Sequence, residues 1–477
     1  MVFTKGFMSF VVLTGVTDAF LAYGFTVLNN AEFLLKDFIN GTMIWNYHRR
    51  CTEGELSILY SVFVVAIWVL GILVGTLFGG RICEKTGRKF SVLIWSSFLV
   101  LMSTSSFFLA RGFYRGELLV VGRFLHGMAY GNNILGLSLY IMESAPTEYR
   151  GCLATFRFNL HGIAAFIGSL LGLPTFLGTA ELWPLLLSLG SIPAFIQICC
   201  YGIFPDTPKF LFIKENRPGK AAKAIQFFHG IDTDVEEVFT EYEDEKLLFP
   251  KSAGLKEIFF KRHLRIPFWI CVVLVLLQTT NGTKVLMFYS GEIFRNLGVT
   301  HHDSRYFSTF GVFCGLVGST VSTCVVERVG RKPLIMGSAL LSLLAVIILF
   351  FLELIQNSLP RIIKSMVCIF VHSSLIFAYY FGIGPIPDFM IGELMTQNAH
   401  SSTGTVSHAA NMVNTILICS LFPVLHSMIG PGVYAVFCVI PTGLILVYLW
   451  KMLPETKGKT VHEVSMQWVE PGEVIYL

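Results

Sequence analysis

The stretch GGRICEKTGRK, residues 79–89, follows the second apolar run of the chain and recurs in altered form as VVERVGRKP, residues 325–333, after the eighth. Two further motif pairs occur in the same order, ESAPTEYRG (143–151) with ELMTQNAHSSTG (393–404) and PDTPKFLF (205–212) with PETKGKT (454–460). The matching glycines, glutamates and prolines of the three pairs lie 243, 250 and 249 residues apart. Because nearly one spacing serves three motifs, the sequence predicts a parallel duplication of a single unit.

The composition indicates a membrane protein. Of the 477 residues, 54% are hydrophobic and 14% are charged, whereas about a quarter of the residues of soluble domains are charged. A helix of about 20 apolar residues spans the ~30 Å hydrocarbon core of a bilayer. The first run is too long for a signal-peptide core and is expected to remain as the first span. Twelve such runs lie near residues 8–30, 57–80, 91–110, 116–140, 152–174, 183–204, 265–290, 305–326, 333–354, 362–390, 402–427 and 431–453.

Duplication and span count together predict an all-α membrane protein with twelve transmembrane helices in two six-helix bundles, 1–205 and 264–455. The polar stretch 206–263 is expected to be a cytosolic helical domain, and 456–477 a cytosolic tail. Such duplications place a solute site between the halves near the bilayer midplane. The basic loops lie on the side of the motifs, so the positive-inside rule puts that side and both termini in the cytosol. The net charge of +4 is modest, and no nucleic-acid partner is expected.

Few features favour other chemistry. The 11 cysteines form no CxxC pair, so we expect neither a disulfide framework nor a metal site. No cluster of histidine, cysteine or carboxylate residues has catalytic spacing, which argues against an enzyme and against a cofactor. The triplet Asn40-Gly41-Thr42, between the first two spans, fits a glycosylation acceptor.

Charged residues in the repeated motifs form a candidate gate. Arginines and lysines at helix ends can pair with carboxylates or with exposed helix carbonyls. Pairs across a cytosolic seam would hold that side of the cavity closed; in the alternative, these residues only set the topology. The candidate gating residues are Arg88, Lys89, Glu143, Arg150, Glu327, Arg331, Lys332 and Glu393.

These motifs, together with GPIP before GEL in the tenth span, resemble those of the sugar porter family of the major facilitator superfamily over nearly the whole chain. ELWPLLLSLGSIPAFIQ and the glycosylation triplet are most similar to the animal facilitative glucose transporters. The resemblance implies the major facilitator fold, alternating access, and a solute held chiefly by spans 7, 8 and 10 with help from span 5. It also implies facilitated diffusion, because Thr26 stands where proton-coupled members carry an acid, although Asp18 lies two turns earlier.

The same resemblance marks candidate solute-binding positions, most of which have changed. Gln278 in span 7 and Asn411 in span 11 match the family. Amides and carboxylates suit sugar hydroxyls, so the changed lining argues against hexose binding by the usual geometry. Tyr289 occupies a place where aromatics of the family line the outer gate, with ordinary packing as the alternative. The positions that have changed are Phe158, Thr279, Lys284, Gly315, Tyr380, Asp388 and Met412.

Lys284 and Asp388 are the two charges at these positions. A charge in the hydrocarbon costs at least ~2.5–3.5 kcal/mol, so each should face protein or water and have a partner. Counted along the helices, their depths differ by roughly 13 Å, which leaves open a direct bond at a broken helix, a bridge through water or solute, and unrelated roles. In the functional hypothesis both residues line the cavity and select a charged solute or respond to pH. In the alternative, Lys284 snorkels to the outer interface and Asp388 caps a helix.

Other polar residues within the spans have simpler interpretations. Asp18 and Arg157 are expected to form a buried structural ion pair, and Arg123 is expected to anchor the fourth span by pairing at the cytosolic surface. Gly127 and Gly131 permit close helix packing. The histidines expected to be hydrogen-bonded packing residues are His161, His372 and His408.

The sequence therefore predicts a facilitative carrier of a small polar solute, a hexose or a related compound, in the plasma membrane. Its expected partners are the solute and the lipid bilayer, with no obligatory protein partner. Two alternatives stay open. One is a carrier of a charged non-sugar solute such as an organic acid, and the other is a solute sensor that keeps the fold without transport.

Overall fold

The computed structural model describes residues 4–145, 150–248, 255–395, 397–457, 463–464 and 466–468. Across these residues every regular element is helical, which confirms the all-α class. The helices of spans 1 to 12 are, in order, Lys5–Ala22 with Val27–Tyr47, Glu53–Tyr60 with Ile67–Thr86, Ser96–Gly112, Gly116–Ser144, Arg150–Leu171, Trp183–Leu187 with Ser191–Cys199, Arg262–Thr280 with Thr283–Asn296, His301–Val329, Arg331–Leu354, Arg361–Ala378 with Pro385–Leu394, Gln397–Ile429, and Ile440–Met452.

The lengths of these helices fit a bilayer. Within the described residues, nine segments are both long and apolar enough to cross a membrane. Spans 4, 5 and 6 complete the twelve. Span 4 is one helix of 29 residues, and spans 5 and 6 contain the shorter apolar helices Phe156–Leu171 and Ser191–Gly202.

Span 1 is longer than its apolar run predicts. Its second helix, Val27–Tyr47, carries Asn40 and the rest of the glycosylation triplet, so the triplet lies on a helix rather than in a loop. The Asn40 side chain accepts a hydrogen bond from the Cys51 amide at 3.2 Å. Asparagine and glycine are weak helix formers, but the packing of Phe38 against Trp183, at 5.0 Å between ring centroids, holds this part of the helix in place.

Spans 7 and 10 are interrupted near their middles. In span 7 the chain turns at Gly282, whose φ of 86° is in the left-handed region that glycine adopts without a steric cost. The Asn281 side chain accepts from the Thr283 amide at 2.7 Å and closes this turn. In span 10 the break falls at Gly384, before the helix that starts with Pro385. The breaks leave backbone carbonyls available inside the bundle, where lipid cannot reach them.

Close backbone packing joins spans 2 and 4, as the glycine spacing predicts. A Cβ atom on Gly127 would lie 2.1 Å from the Trp68 carbonyl oxygen, and one on Gly131 would lie 2.1 Å from that of Ile72. The two halves meet where span 5 packs on span 8, span 2 on span 11, and span 1 on span 7. These spans line the interface between the halves, where a solute can lie.

A group of short helices lies between spans 6 and 7, namely Pro218–His229, Val235–Leu248 and Leu255–Phe260. It packs on the beginning of span 1, where the Thr4 hydroxyl donates to the Phe227 carbonyl at 2.7 Å. The rings of Phe7 and Phe228 also meet edge to face, at 5.7 Å between centroids. We call this end of the bundle the domain end and the opposite end the far end.

Candidate solute-binding site

A continuous polar network joins spans 7, 10 and 11 at the level of the helix breaks. The Gln278 amide donates to the Asp388 carboxylate at 2.9 Å, and its oxygen accepts from Asn411 at 3.3 Å. Thr279 donates to Asn411 at 2.6 Å and shares a hydrogen bond with Thr415 at 2.9 Å. The structure thus brings together four of the sequence-predicted binding residues, all in the second half.

The same glutamine also satisfies the break in span 10. Its Nε2 donates to the Gly384 carbonyl at 2.9 Å, so Gln278 both supports the broken backbone and faces Asp388. Asp388 itself lies in the first turn of the helix Pro385–Leu394 and is partly exposed. A carboxylate in this position can accept hydrogen bonds from a bound solute without leaving Gln278.

Lys284 is not part of this network. Its ammonium donates to the Tyr379 hydroxyl at 3.2 Å and lies 3.7 Å from the centroid of the Phe25 ring. The residue is 5% exposed, which excludes snorkelling to the outer interface. No carboxylate among the described residues lies within ion-pair distance of it, so the direct bond to Asp388 that the sequence left open is not formed.

The environment of Lys284 compensates its charge only in part. A cation over an aromatic face gains about 0.5–2 kcal/mol. A lysine in the middle of a membrane costs at least ~2.5 kcal/mol on the most favourable scale. The hydroxyl of Tyr379 is a neutral acceptor and supplies no counter-charge. Lys284 is therefore held in place without being neutralised.

Two other predicted positions are filled by aromatic side chains. The Phe158 ring packs against His161 at 5.3 Å between centroids. Tyr380 packs edge to face on Tyr379 at 5.5 Å. A Cβ atom on Gly315 would lie 2.8 Å from the Tyr380 ring, so the glycine in span 8 is what makes room for the tyrosine in span 10.

Tyr289 is a packing residue in this conformation. Its hydroxyl donates to the Cys419 carbonyl at 2.7 Å, its ring stacks on Phe422 at 5.7 Å, and it is 1% exposed. This geometry matches the packing alternative and leaves its role in a gate as a prediction.

Spans 1 and 5 contribute an ionic cluster on the other side of the interface. Arg157 donates to the Asp18 carboxylate at 2.6 Å, which confirms the expected ion pair. His161 lies 2.7 Å from the same Asp18 oxygen, and Arg157 also bonds Ser138 at 2.6 Å. Asp18 is fully buried. Since all these partners belong to the first half, the cluster holds spans 1, 4 and 5 together.

A second ionic cluster, which we call the far-end seal, joins the two halves. Lys36 of span 1 donates to Glu32 at 2.7 Å and to Glu292 of span 7 at 3.0 Å. Arg295 of span 7 bonds Glu32 at 3.3 Å, and Ser57 of span 2 donates to Glu292 at 3.3 Å. Two cations and two carboxylates thus alternate across the interface. In this conformation the cluster closes the far end.

A neutral layer lies below the far-end seal. The Asn30 amide bonds the Ser169 carbonyl at 2.7 Å and the Thr309 hydroxyl at 3.3 Å. Ser169 and Thr309 are themselves 3.0 Å apart. Since Thr309 belongs to span 8, this layer also crosses between the halves.

At the domain end of the first half, the repeated motifs assemble into one cluster. Arg88 bonds the Glu143 carboxylate at 2.8 Å, and the other oxygen of Glu143 accepts from Thr207 at 2.6 Å. Asp206 accepts from the backbone amide of Lys89 at 3.1 Å. The Lys89 ammonium lies over an aromatic ring rather than on a carboxylate.

The second half repeats this cluster almost atom for atom. Arg331 bonds Glu393 at 3.1 Å, and Thr456 donates to the other oxygen of Glu393 at 2.5 Å. Glu455 accepts from the backbone amides of Arg331 and Lys332 at 3.0 and 3.1 Å. The Lys332 ammonium donates to a helix carbonyl, as the gate hypothesis allowed.

These clusters correct one part of the gate hypothesis. The pairs Arg88 with Glu143 and Arg331 with Glu393 each form within one half, between the start of one span and the end of the next, and not across the seam. The reason is the short connection between spans 2 and 3 and its copy between spans 8 and 9, which places each arginine beside the acid of its own repeat. The side chains of Arg150 and Glu327 lie outside the described part of the structure.

The sequence analysis did not predict the aromatic residues around Lys284. Phe25 meets Trp68 edge to face at 4.4 Å between centroids and Phe288 at 5.6 Å. Trp68 also donates to His126 at 2.9 Å. The break within span 1 at Tyr23, which directs Phe25 inward, has no proline and no strong turn motif. The sequence therefore contains no signal for it.

Comparisons with known proteins agree with this architecture. The family model described as "Sugar (and other) transporter" matches residues 10–468. Facilitated glucose transporter member 4 of Homo sapiens is 32% identical over 454 residues, which cover 93% of this chain and 87% of the relative. Member 1 of Gallus gallus is 28% identical over 456 residues, 94% of this chain and 91% of the relative. The inward-open structure of the xylose transporter XylE from E. coli has a TM-score of 0.75 at 19% identity, covering 97% of this chain and 100% of XylE.

Proposed function

Because this chain belongs to the sugar (and other) transporter family, we propose that it is a facilitative carrier that moves a small polar solute, a hexose or a related compound, by alternating access. The observation that carries the proposal is the polar network of Gln278, Thr279, Asn411 and Asp388 at the level of the helix breaks. Such buried donors and acceptors are expensive in a membrane protein unless they have a use.

The seals on either side of this network support a rocking movement of the halves. At the far end, Lys36 and Glu292 bond between the halves. At the domain end, the arginine clusters brace each half internally. Opening the far end therefore breaks a few ionic contacts, while each half moves as a unit.

The orientation in the proposal follows from the basic loops. The domain end, with Arg88, Lys89, Arg331 and Lys332, is placed in the cytosol by the positive-inside rule. The conformation described here then has its outer side closed. A plasma-membrane location and cytosolic termini belong to the same proposal, and Asn40 would face the outside, where glycosylation occurs.

Uniport is the proposed mode of transport. Thr26 donates to the Tyr23 carbonyl at 3.1 Å and offers no titratable group at the position where the resemblance places the acid of proton-coupled carriers. Asp18, two turns earlier in span 1, is held by Arg157 and His161. Uptake is therefore expected not to depend on an imposed pH gradient.

Counterflow in liposomes tests the carrier proposal. Purified protein in vesicles preloaded with glucose or fructose is expected to accumulate labelled sugar transiently and saturably. Gln278→Leu removes the centre of the network and should lower counterflow at least tenfold, about 1.4 kcal/mol or more. Gln226→Leu, at an exposed position on a helix of the domain end, is the matched control. Solute binding with no counterflow of any solute would favour the sensor instead.

A further inference from the structure

We propose that the solute of this carrier is a small hydroxylated organic anion, whose negative group binds the Lys284 ammonium and whose hydroxyls bind the network beside Asp388. This proposal rests on the carrier function proposed above and names the class of solute. Neutral hexoses would then be carried less well than the anion, because they leave the ammonium without a counter-charge.

The first argument is the state of Lys284. It lies among buried residues of both halves, with an aromatic ring and one tyrosine hydroxyl as partners. Lys36, another buried cation, has Glu32 and Glu292 beside it. Among the described residues Lys284 has no acid within ion-pair distance, and a buried cation without a counter-ion is a site for an anion.

The second argument is the ring that covers the ammonium. Phe25 belongs to span 1 in the first half and Lys284 to span 7 in the second, so the contact of 3.7 Å crosses the interface. When the halves separate at the far end, Phe25 moves with its half and uncovers the ammonium to the outer solution. The ring therefore occupies, in the closed conformation, the side of Lys284 that an anion can approach in the open one.

A second incompletely paired cation, Arg123, lies on the other side of the aromatic pair Phe25 and Trp68. Arg123 is 1% exposed, so it does not pair at the cytosolic surface as the sequence predicted, and among the described residues its Nη2 has no hydrogen-bond partner. Its guanidinium lies 4.8 Å from the Trp68 ring, and Trp68 meets Phe25 at 4.4 Å. The Nε atom of Arg123 donates to the Val64 carbonyl, a neutral group. The positive charges of Lys284 and Arg123 thus flank one aromatic cluster, and their combined field favours an anion between the halves.

The third argument concerns the rest of the solute. Gln278, Asn411 and Thr279 offer amide and hydroxyl groups, which suit a molecule with several hydroxyls better than an inorganic ion. The partly exposed Asp388 accepts hydrogen bonds from hydroxyls but repels a carboxylate. It therefore orients the solute, with its anionic end towards Lys284 and its hydroxylated end towards the network.

Glucose and glucuronate are the matched probes, because they differ only in a carboxylate in place of the terminal CH2OH group. In liposomes containing the full chain, labelled glucuronate is expected to show saturable counterflow and to compete with glucose. Uniport of an anion also moves charge. A valinomycin potential that is positive inside should therefore speed glucuronate uptake and leave glucose uptake unchanged.

Variants at Lys284 test whether its charge is responsible for the uptake of glucuronate. Lys284→Met keeps the length without the charge, and the ratio of glucuronate uptake to glucose uptake should fall about thirtyfold or more. Lys284→Arg should restore part of the glucuronate uptake. Lys220→Met, an exposed lysine on a helix of the domain end, is the control.

The two proposals fail differently. If glucose moves saturably while glucuronate neither moves nor competes, the anion proposal is wrong and the carrier stands. If glucuronate uptake survives Lys284→Met, the assignment of its charge to Lys284 is wrong. If neither probe moves in wild-type vesicles, the carrier function itself is overturned. The potential and competition experiments use the wild-type chain and do not depend on the folding of any variant.

Discussion

The clusters at the domain end are two copies of one design, whereas the charged groups near the membrane centre have no copy. Arg88, Glu143 and Thr207 are matched by Arg331, Glu393 and Thr456, with the same hydrogen bonds. The ionic cluster at Asp18 belongs to the first half only, and Lys284 belongs to the second only. The duplicated hydrogen bonds are thus present where ion pairs stabilise each half and absent where the halves face each other.

The difference separates two roles of charge. At the domain end each arginine has its acid within its own half, so the cluster survives any movement between halves. At the centre the contacts either cross the interface, as between Lys284 and Phe25, or line it. Symmetric clusters can serve stability alone, and the asymmetric ones are the candidates for solute recognition.

The largest effect is expected when the ionic cluster at Asp18 is broken. Asp18→Asn leaves Arg157 buried without a counter-charge, since the pair is formed at 2.6 Å with Asp18 fully buried. We expect a loss of about 3–5 kcal/mol in the free energy of unfolding, measured by denaturation in mixed detergent micelles. Asp232→Asn, at an exposed position, should change it by less than ~0.5 kcal/mol. A loss for Asp18→Asn as small as that for Asp232→Asn would show that Arg157 finds another partner.

The next prediction tests whether the domain-end copies are equivalent. Arg88→Leu and Arg331→Leu each leave a partly buried glutamate without its cation. Each should lower the free energy of unfolding by about 1–3 kcal/mol, and the two losses should agree within a factor of two. A loss of stability in only one of the two variants would show that the two clusters contribute differently to stability despite their similar geometry.

A third prediction concerns the far-end seal, which joins the halves where the domain-end clusters do not. Lys36→Met leaves Glu32 and Glu292 facing each other without the cation between them. The open conformation should become about tenfold more populated, a shift of about 1.4 kcal/mol. Hydrogen exchange should then quicken in the helices Val27–Tyr47 and Thr283–Asn296, with no change in Pro218–His229. Unchanged exchange in the first two helices would show that other contacts close the far end.

The smallest expected effect is a difference between the two domain-end clusters in how stability depends on pH. Burial raises the pKa of Asp206 above 3.8. Burial also acts to raise the pKa of Glu455, but the backbone amides of Arg331, Lys457 and Lys332 outweigh it and hold that pKa below 4.5.

The signs of the two contributions are therefore opposite. A carboxylate with a lowered pKa stabilises the fold above its unfolded pKa, and this is lost as the pH falls through the folded value. One with a raised pKa stabilises the fold below its unfolded pKa and loses this as the pH rises. Glu455→Gln should flatten the acid-side loss of melting temperature below about pH 4.5, and Asp206→Asn should steepen it. The same response in both variants would contradict the assignment.

Much of the architecture could be predicted from the sequence, because the signals are local or repeated. The apolar runs predict twelve spans, and the motif spacing predicts two halves. The glycine pair Gly127 and Gly131 predicts the close packing on span 2. For the site, Gln278, Thr279, Asn411 and Asp388 were predicted, and the structure joins them in one network.

The failures share one cause, which is that the partner lies far away in the chain. Depth along a helix left the pairing of Lys284 with Asp388 undecided, and the actual partners are Tyr379 and a ring from the first half. The motif arginines were expected to pair across the seam, and they pair within their halves. The rotation of each helix about its axis decides such matters, and the sequence pattern does not specify it.

The sequence by itself determined that this chain crosses the membrane twelve times as two related halves, since apolar length and motif repetition are properties of the chain alone. Only the tertiary structure decided which charges are paired and that the far end is closed by Lys36 and Glu292. It also decided that Lys284 is buried with no acid of the described residues within ion-pair distance. The physical reason is that a hydrogen bond needs its two atoms within about 3 Å, and that distance depends on how spans hundreds of residues apart are packed.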